Sequence, residues 1–312
     1  MSVTKVTAFA PGSVANVAIG FDILGFSVNA VGDRVTLTRS AAPGVKITSI
    51  RGVVEDLPLE AAKNTAGQAL LALIQTRELP FGFEMQIEKG IPLSSGLGGS
   101  AASAVAAVVA ANAMLDAPLT RIELLKVAME GEAVASGSKH ADNISPSLFG
   151  GLVLTVGIDN PRVKQIPVPQ VIHAVIVHPH LQVSTKAARA ILSRTVNMSD
   201  FVWQTANLAG FISGCYTNDL DLIKASLEDV IIEKQRQVLI PGFIDVRAAA
   251  LEKGALGCSI SGAGPTMFAL CLERDTRAVR DAMVQAFAAH SIETDKWIAP
   301  VQSGGAHVVS SE

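Results

Sequence analysis

Hydrophobic and polar positions follow regular periods along most of this chain, and these periods predict its secondary structure. Alternation of apolar and polar residues predicts strands at 2–9, 34–38 and 45–50. Leu59, Ala66 and Leu73 recur at helical spacing and predict an amphipathic helix over 59–77. Further strands are predicted at 83–89, 152–156, 171–177, 256–260, 266–272 and 296–301, and further helices at 100–115, 184–194, 201–215, 219–233, 243–253 and 276–289.

One more helix is indicated by its end signals. Thr120 and Glu123 form a Thr-x-x-Glu capping box at its start, and Gly137 is predicted to mark where it has ended. Strands and helices mix along the chain without strict βα alternation. The pattern therefore favours an α+β fold over a doubly wound parallel sheet.

The length of 312 residues suits two domains of ordinary size. A proline-bearing stretch provides the predicted boundary, which gives an N-terminal domain over 1–160 and a C-terminal domain over 161–312. The prolines of this stretch are Pro161, Pro167 and Pro169.

Composition excludes several classes of protein. A hydrophobic content of 49% with 17% charged residues describes a folded globular protein. A net charge of −3 and an aromatic content of 4% argue against a nucleic-acid partner. The three cysteines, Cys215, Cys258 and Cys271, have no metal or redox spacing and are expected to be buried free thiols. The N-terminus lacks a signal-peptide pattern and the longest apolar run, 101–115, is short for a bilayer, so we expect a soluble, cytoplasmic protein without a membrane partner.

Residues 92–103, Pro-Leu-Ser-Ser-Gly-Leu-Gly-Gly-Ser-Ala-Ala-Ser, form a glycine-rich segment that leads into an alanine-rich helix. Gly96, Gly98 and Gly99 let backbone amides approach a ligand without an intervening Cβ. The helix that Ser100 is predicted to open adds unpaired N–H groups and the positive end of its dipole. The segment therefore predicts a site for a polyanion, with a nucleotide phosphate as the obvious candidate.

The glycine-rich segment matches neither common phosphate motif. A Walker A loop is excluded because no lysine lies between Gly90 and Arg121. A dinucleotide fingerprint needs a strand that ends at its first glycine and an acidic residue on a second strand about 20 residues on, and neither is predicted here. A glycine-rich helix entry with only a packing role remains an alternative.

Two other segments carry polar residues of chemical interest. Residues 11–22 contain Asn16 and Asp22 in an apolar setting, although both residue types are also common in plain turns. Residues 132–143 place Glu132 on a helix before a loop with His140, Asp142 and Asn143. Phosphoryl transfer needs a divalent cation with oxygen ligands, which Glu132 and Ser100 could supply, but Glu132 could equally be a solvated helix charge.

Two glycine and histidine patterns have ordinary interpretations when taken alone. Residues 259–266 form a second glycine turn before a strand, and such turns usually have no ligand. His178 and His180 suggest a metal site, which we reject because no acidic or cysteine ligand lies nearby in the sequence.

The segments 11–22, 92–103 and 261–266, in this order, resemble the three signatures of the GHMP kinases, and the resemblance runs through nearly the whole chain. Within that family, Glu132, the tetrad 140–143 with 144–151, Thr185-x-x-x-Arg189 and 236–242 resemble the homoserine kinases in particular. Three departures from the wider family are Ser13, where mevalonate kinases carry lysine, Gly99, where serine is frequent, and Asn143, where a catalytic aspartate would align. Because an amide cannot take a proton, the resemblance implies a mechanism without that general base.

The resemblance implies an N-terminal domain of the ribosomal protein S5 domain 2-like type, a ferredoxin-like C-terminal domain, and phosphorylation of the side-chain hydroxyl of L-homoserine by ATP with Mg²⁺, a step toward threonine. It implies catalytic roles for Asn143, Glu132 and Ser100, of which Glu132 and Ser100 would bind the metal. The implied nucleotide contacts are Asn64, Pro92, Ser94, Ser95, Gly96, Leu97, Gly98, Gly99, Ser100, Ala101 and Ser103. The implied acceptor contacts are Asn16, Asp22, His140, Asn143, Thr185, Arg189, Arg236 and Gly262, with Arg247 as a rival to Arg236 for the acceptor carboxylate.

Three other functions remain open at this stage. The chain could be a GHMP-type kinase for another small alcohol, such as an isoprenoid precursor or shikimate. It could instead be a non-catalytic sensor on the same fold, or an unrelated dinucleotide-binding enzyme. A homodimer is possible.

Overall fold

The computed structural model describes residues 3–136 and 140–312. Its strands are β1 (Lys5–Ala15), β2 (Leu24–Ser40), β3 (Val45–Gly52), β4 (Gly82–Lys89), β5 (Leu152–Val156), β6 (Arg162–Ile166), β7 (Ile172–Pro179), β8 (Gly257–Ile260), β9 (Met267–Leu272), β10 (Thr294–Pro300) and β11 (His307–Ser311). Its helices are α1 (Thr65–Arg77), α2 (Gly99–Asn112), α3 (Arg121–Ser136), α4 (Ile144–Phe149), α5 (Thr185–Ala190), α6 (Met198–Thr217), α7 (Leu220–Ser226), α8 (Glu233–Arg236), α9 (Phe243–Glu252) and α10 (Thr276–Ala289).

The first sheet has seven strands and carries the glycine-rich segment at the end of β4. Its order is β11-β1-β2-β4-β3, and β5 pairs with β2 and with β6. Only the β3–β4 pair is parallel among the pairs of this sheet in the described residues. Helix α2 packs against β1 and β2 and is flanked by α1 and α3. Its alanines are almost all buried, because small side chains let the helix approach the sheet and its neighbours closely.

The second sheet has the order β10-β7-β9-β8 and is antiparallel throughout. With α9 and α10 packed against it, this is the ferredoxin-like arrangement. Both faces of β7 are buried: Ala174 and Ile176 join the core shared with the first sheet, whereas Val175 and Val177 join the core under α9 and α10. Strand β7 is therefore a continuous apolar run, as a strand covered on both sides requires.

The α+β class and the two-domain GHMP arrangement are confirmed, and most predicted elements are present with shifted ends. The predicted helix 59–77 begins only at Thr65, because Asn64 caps it. The predicted helix 219–233 is wrong as a single element, since α7 ends at Ser226 and α8 begins at Glu233. Strands β6 and β11 and helix α4 were not predicted. The predicted helix end at Gly137 lies outside the described residues.

The predicted division after residue 160 stays a prediction. Strand β6 and strand β11 both follow that position, yet both lie in the first sheet. Cys215, Cys258 and Cys271 are buried free thiols, as expected. Within the described ranges, no helix is long and apolar enough to cross a bilayer.

Candidate active site

The three glycine-containing segments are residues 11–22, 92–103 and 261–266. They are far apart in sequence and meet at one place between the two sheets. The Ser13 N–H donates to Leu97 O at 3.0 Å, which joins the first segment to the glycine-rich segment. The Ser261 hydroxyl donates to Gly96 O at 2.7 Å, and the Gly262 N–H donates to Ala15 O at 3.2 Å. The third segment therefore supports both of the others, and all three surround the start of α2.

The loop of the glycine-rich segment (residues 92–98) ends in a left-handed turn. Gly98 has φ 66° and is the N-cap of α2, which begins at Gly99, one residue before the predicted Ser100. No side chain caps this helix, so the N–H groups of its first turn have no cap oxygen as partner. A Cβ on Gly98 would lie 2.4 Å from Ser13 Oγ and 2.7 Å from Asn143 Oδ1. Glycine at this position is therefore required both by φ and by the close approach of two polar side chains.

Ser100 and Glu132 form an oxygen pair beside the start of α2. The Ser100 hydroxyl donates to Glu132 Oε2 at 2.9 Å, which brings a residue of α2 to a residue of α3. Burial raises the pKa of Glu132 to about 7; the hydrogen bond from Ser100 opposes this rise and the charge of Asp142 adds to it. The arrangement offers a carboxylate and a hydroxyl to a hard cation, and a cation there would favour the charged carboxylate.

Asn143 lies on the other side of Gly98. Its Oδ1 accepts a hydrogen bond from the Ser13 hydroxyl at 2.9 Å. Although Asn143 precedes α4, its side chain makes no capping hydrogen bond to that helix. Ser13 therefore orients the Asn143 amide at the glycine turn, where its NH₂ group can only donate.

An ion pair and a buried carboxyl group lie close together in a second part of the site. Arg189 donates to both oxygens of Asp22, from Nη1 at 3.0 Å and from Nη2 at 2.6 Å. The His140 Nδ1 is 3.5 Å from Arg189 Nη2. Burial, and after it the charge of Asp22, raise the pKa of Asp142 to about 7. Ligand atoms of Asp22, His140 and Asp142 lie within 4.8 Å of one another.

Asn16 and Arg236 fix the backbone around this ion pair. Asn16 Nδ2 donates to Gly262 O at 3.0 Å, and its Oδ1 accepts the Asp22 N–H at 3.1 Å. Arg236 Nη1 donates to the same Gly262 O at 2.9 Å. The guanidinium carbons of Arg189 and Arg236 lie 5.4 and 5.1 Å from the ring centre of Phe21, so one aromatic ring lies near both cations.

Several predicted residues have other partners. Asn64 uses its Oδ1 to cap α1 and its Nδ2 to bind Pro58 O. Arg247 Nε lies 3.5 Å from Glu233 Oε1, whereas the Arg236 guanidinium lies over the Phe21 ring. Thr185 is exposed at the start of α5.

Within the glycine-rich segment, Ser103 is turned into a buried network with Asp33 and Lys89. Ser95 is buried and its hydroxyl accepts the Leu97 N–H, whereas Ser94 is exposed and Pro92 half-buried. His178 Nδ1 lies 3.0 Å from the Thr266 hydroxyl. His180, however, has Asp295 at 3.2 Å, an acidic neighbour that the sequence did not predict.

Sequence reasoning missed Asp33, Lys89 and Phe21. A signal for two of them was present, since Asp33 and Lys89 each occupy an inward position in the alternation of β2 and β4. A charged residue at an inward strand position needs a buried partner, which each provides for the other.

Comparisons with known proteins identify the family of this chain. The family models "GHMP kinases N terminal domain" and "GHMP kinases C terminal" match residues 64–151 and 211–289. A homoserine kinase from Xylella fastidiosa (strain M12) is 49% identical over 303 residues, which cover 97% of this chain and 93% of that protein. The chain belongs to the GHMP kinase family. A homoserine kinase from Chlorobaculum tepidum is 42% identical over 321 residues and 98% of each chain.

Solved structures of GHMP kinases show the same fold. A crystal structure of homoserine kinase from Cytophaga hutchinsonii superposes with a TM-score of 0.94 at 45% identity, over 98% of this chain and 97% of that one. Mevalonate kinase from L. major, in complex with R-mevalonate, superposes with a TM-score of 0.71 at 17% identity, over 97% and 100% of the two chains, and supports the fold alone. The matched GHMP ranges include the glycine-rich segment, Glu132 and Asn143, whereas Asp22 and Arg189 lie outside them.

Proposed function

We propose that this protein transfers the γ-phosphoryl group of ATP to the side-chain hydroxyl of L-homoserine, a step toward threonine. Homoserine kinases at 42–49% identity over nearly the whole chain support this proposal. The observation that carries the choice of acceptor is the bidentate Asp22–Arg189 ion pair beside Asn143. An amino acid carries both an ammonium and a carboxylate. Its ammonium can pair with Asp22 and its carboxylate with Arg189, so both partners of the ion pair stay neutralised.

The same ion pair disfavours the other acceptors considered. Mevalonate and shikimate carry a carboxylate but no ammonium, so either would leave Asp22 without a cation once Arg189 turns to the ligand. An unpaired, partly buried carboxylate is costly. Arg236 is our second candidate for the acceptor carboxylate, because it lies beside Arg189 on the Phe21 ring. Asp22 would bind the ammonium, with Asn16 and His140 beside it.

The nucleotide is proposed to lie on residues 92–98 and the start of α2. The first-turn N–H groups and the helix dipole suit the β- and γ-phosphates. Pro92 and Ser94 belong to this loop, whereas the side chains of Asn64 and Ser103 already bind protein partners. We therefore assign Asn64 and Ser103 to the support of the nucleotide site and keep direct contact for the backbone and Ser100.

Mg²⁺ fits the donor set of this site. Ser100 Oγ and Glu132 Oε2 lie 2.9 Å apart, just after the loop of residues 92–98, and both are hard oxygen ligands. When bound, the ion neutralises charge on the β- and γ-phosphates. Glu132 and Ser100 would hold it, and the raised pKa of Glu132 means that metal binding competes with a proton.

Catalysis is proposed to rest on alignment and electrostatics. Asn143, held by Ser13, donates to the acceptor hydroxyl and fixes its direction toward the loop. Because an amide does not accept the proton, the hydroxyl proton leaves late, to a phosphate oxygen or to water. The N–H groups of the loop stabilise the charge that moves onto the leaving ADP.

A panel of acceptors tests the proposal. We expect ADP release with L-homoserine, and far less with mevalonate, shikimate and L-serine, at equal concentration. A larger kcat/KM for mevalonate or shikimate would refute the argument from the ion pair. A protein that binds an ATP analogue but releases no ADP with any acceptor would instead be a sensor. A homodimer and a cytoplasmic location stay predictions.

A further inference from the structure

A fully buried ion pair lies beneath the glycine-rich segment, outside the three glycine-containing segments that form the site. Asp33 on β2 has no exposed surface and Lys89, the last residue of β4, is 6% exposed. Their side chains are in direct contact, and Ser103 on α2 completes the group. We call these three residues the loop anchor.

The loop anchor binds the chain on both sides of the loop. Before the loop, Asp33 Oδ1 accepts the N–H groups of Gly90 at 3.0 Å and Ile91 at 3.3 Å. After the loop, Lys89 Nζ donates to Gly99 O at 2.9 Å, at the first residue of α2. One ion pair therefore fixes where the chain leaves β4 and where it enters the helix.

The hydrogen-bonding capacity of the loop anchor is used within the protein. Lys89 has three N–H groups, and its partners are Asp33, Gly99 O and the Ser103 hydroxyl at 2.9 Å. The Ser103 hydroxyl donates to Asp33 Oδ2 at 2.6 Å. Lys89 thus has no spare N–H for a phosphate, although it lies directly under the loop.

Stability alone is a weak reason for such a pair. Removing two charges from water is costly, and apolar residues of similar volume often stabilise a core equally well. What apolar residues cannot do is bind the Gly90 and Ile91 N–H groups and the Gly99 carbonyl at fixed positions. The distinctive contribution of the ion pair is therefore the geometry of the loop.

We infer that Asp33 and Lys89 are positioning residues for nucleotide binding: they hold the loop and the first turn of α2 so that the backbone N–H groups point at the phosphates. This inference rests on the proposed function only in placing the nucleotide at this loop, and it holds for any acceptor. It assigns Lys89 to the carbonyl of Gly99 and not to a phosphate.

The test uses a neutral double variant, Asp33→Asn with Lys89→Met, which removes both charges at similar volume. We expect a folded protein with a KM for ATP raised at least tenfold and a KM for homoserine within twofold of wild type. The matched control is Arg34→Met with Glu88→Gln, which removes an exposed pair on the same two strands, 3.5 Å apart and one residue away. The control should leave both KM values unchanged.

Single variants separate positioning from a direct phosphate contact. Asp33→Asn keeps the lysine, so a phosphate-binding Lys89 would leave ATP affinity equal or improved, whereas a positioning role predicts a raised KM for ATP. Ser103→Ala is expected to raise it about threefold and provides a milder variant if the others fail to fold. An unchanged KM for ATP in the folded double variant would overturn the inference, and so would an unchanged KM for ATP in Ser103→Ala. Tighter ATP binding by Asp33→Asn would overturn it as well.

A binding readout keeps this inference apart from the proposed function. The shift in Tm produced by a non-hydrolysable ATP analogue should shrink in the loop-anchor variants, while the shift produced by homoserine should stay. Wild-type protein that is stabilised by the analogue but is inactive on homoserine would refute the acceptor and leave the loop anchor standing. Loop-anchor variants with a full analogue shift would refute the loop anchor and leave the acceptor standing.

Discussion

Replacement of Gly98 by alanine tests the geometry of the site where the loop meets Ser13 and Asn143. Gly98 has φ 66°, which costs an L-residue about 1–2 kcal/mol relative to glycine. The new Cβ would stand 2.4 Å from Ser13 Oγ, about 1 Å inside the 3.4 Å at which ordinary contact begins. It would also stand 2.7 Å from Asn143 Oδ1. The hydrogen-bonded side chains of Ser13 and Asn143, which we place at the acceptor hydroxyl, must therefore move away from Gly98.

Two magnitudes follow from this geometry. The left-handed backbone conformation alone should lower the free energy of unfolding by about 1–2 kcal/mol. A displacement of about 1 Å at an aligning group reduces turnover by about 10²-fold. Gly98→Ala should therefore lose about 3 kcal/mol of transition-state stabilisation, against about 1–2 kcal/mol of folding stability from the backbone.

The assay is steady-state ADP release with L-homoserine, combined with thermal unfolding of the same preparation. Gly304→Ala is the matched control, because a Cβ there meets no atom within 4 Å and its φ is not in the left-handed region. The control should keep wild-type activity and be as stable as wild type or slightly more stable. A folded Gly98→Ala protein with wild-type kcat/KM would refute the placement of Asn143 and the loop at the reacting groups.

Three further predictions concern the charged and amide groups of the site. Glu132→Gln should lower kcat/KM for Mg·ATP, because the variant loses several kcal/mol of transition-state stabilisation. Normal turnover at ordinary Mg²⁺ would reject Glu132 as a metal ligand. Because burial raises the pKa of Glu132 to about 7, the folded state retains a proton that the unfolded chain releases between its ordinary pKa and about 7. The stability from this group therefore falls as pH rises through that window, and Glu132→Gln should gain up to about 3 kcal/mol on wild type by about pH 8, as pH-dependent melts would show.

Arg189→Leu should raise the KM for homoserine with little change for ATP; equal increases in both would contradict its place on the acceptor side. Asn143→Ala should retain part of its single-turnover rate, and loss of nearly all activity with both ligands still correctly bound would contradict the aligning role.

The sequence predicted the elements better than their partners. Alternation located β4, an apolar run located the buried strand β7, and the capping box at Thr120 is confirmed by the Thr120 N–H bond to Glu123 at 2.7 Å. These features are local, so nearby residues are sufficient to predict them. Strand β11 was missed because it is recognised by its pairing with β1, at the opposite end of the chain.

The same distinction holds within the site. The glycine-rich segment and Glu132 were predicted from local motifs, and the structure brings Ser100 to Glu132 as the resemblance implied. The bond between Asp22 and Arg189 joins residues 167 positions apart, and no spacing rule could predict it. Asn64 and Ser103 were assigned to the nucleotide, but local capping and a buried charge pair use their polar atoms.

The hydrogen bonds between the two sheets have a consequence for chimeras made from members of this family. They run mainly through main-chain oxygens: the Ser261 hydroxyl donates to the carbonyl of Gly96, and the Thr266 N–H donates to the carbonyl of Ser95 at 3.1 Å. Carbonyl groups are present whatever side chain a relative carries at those positions. Chimeras that join the front half of one homologue to the back half of another should therefore close this junction, provided that each parent keeps the Ser261 hydroxyl.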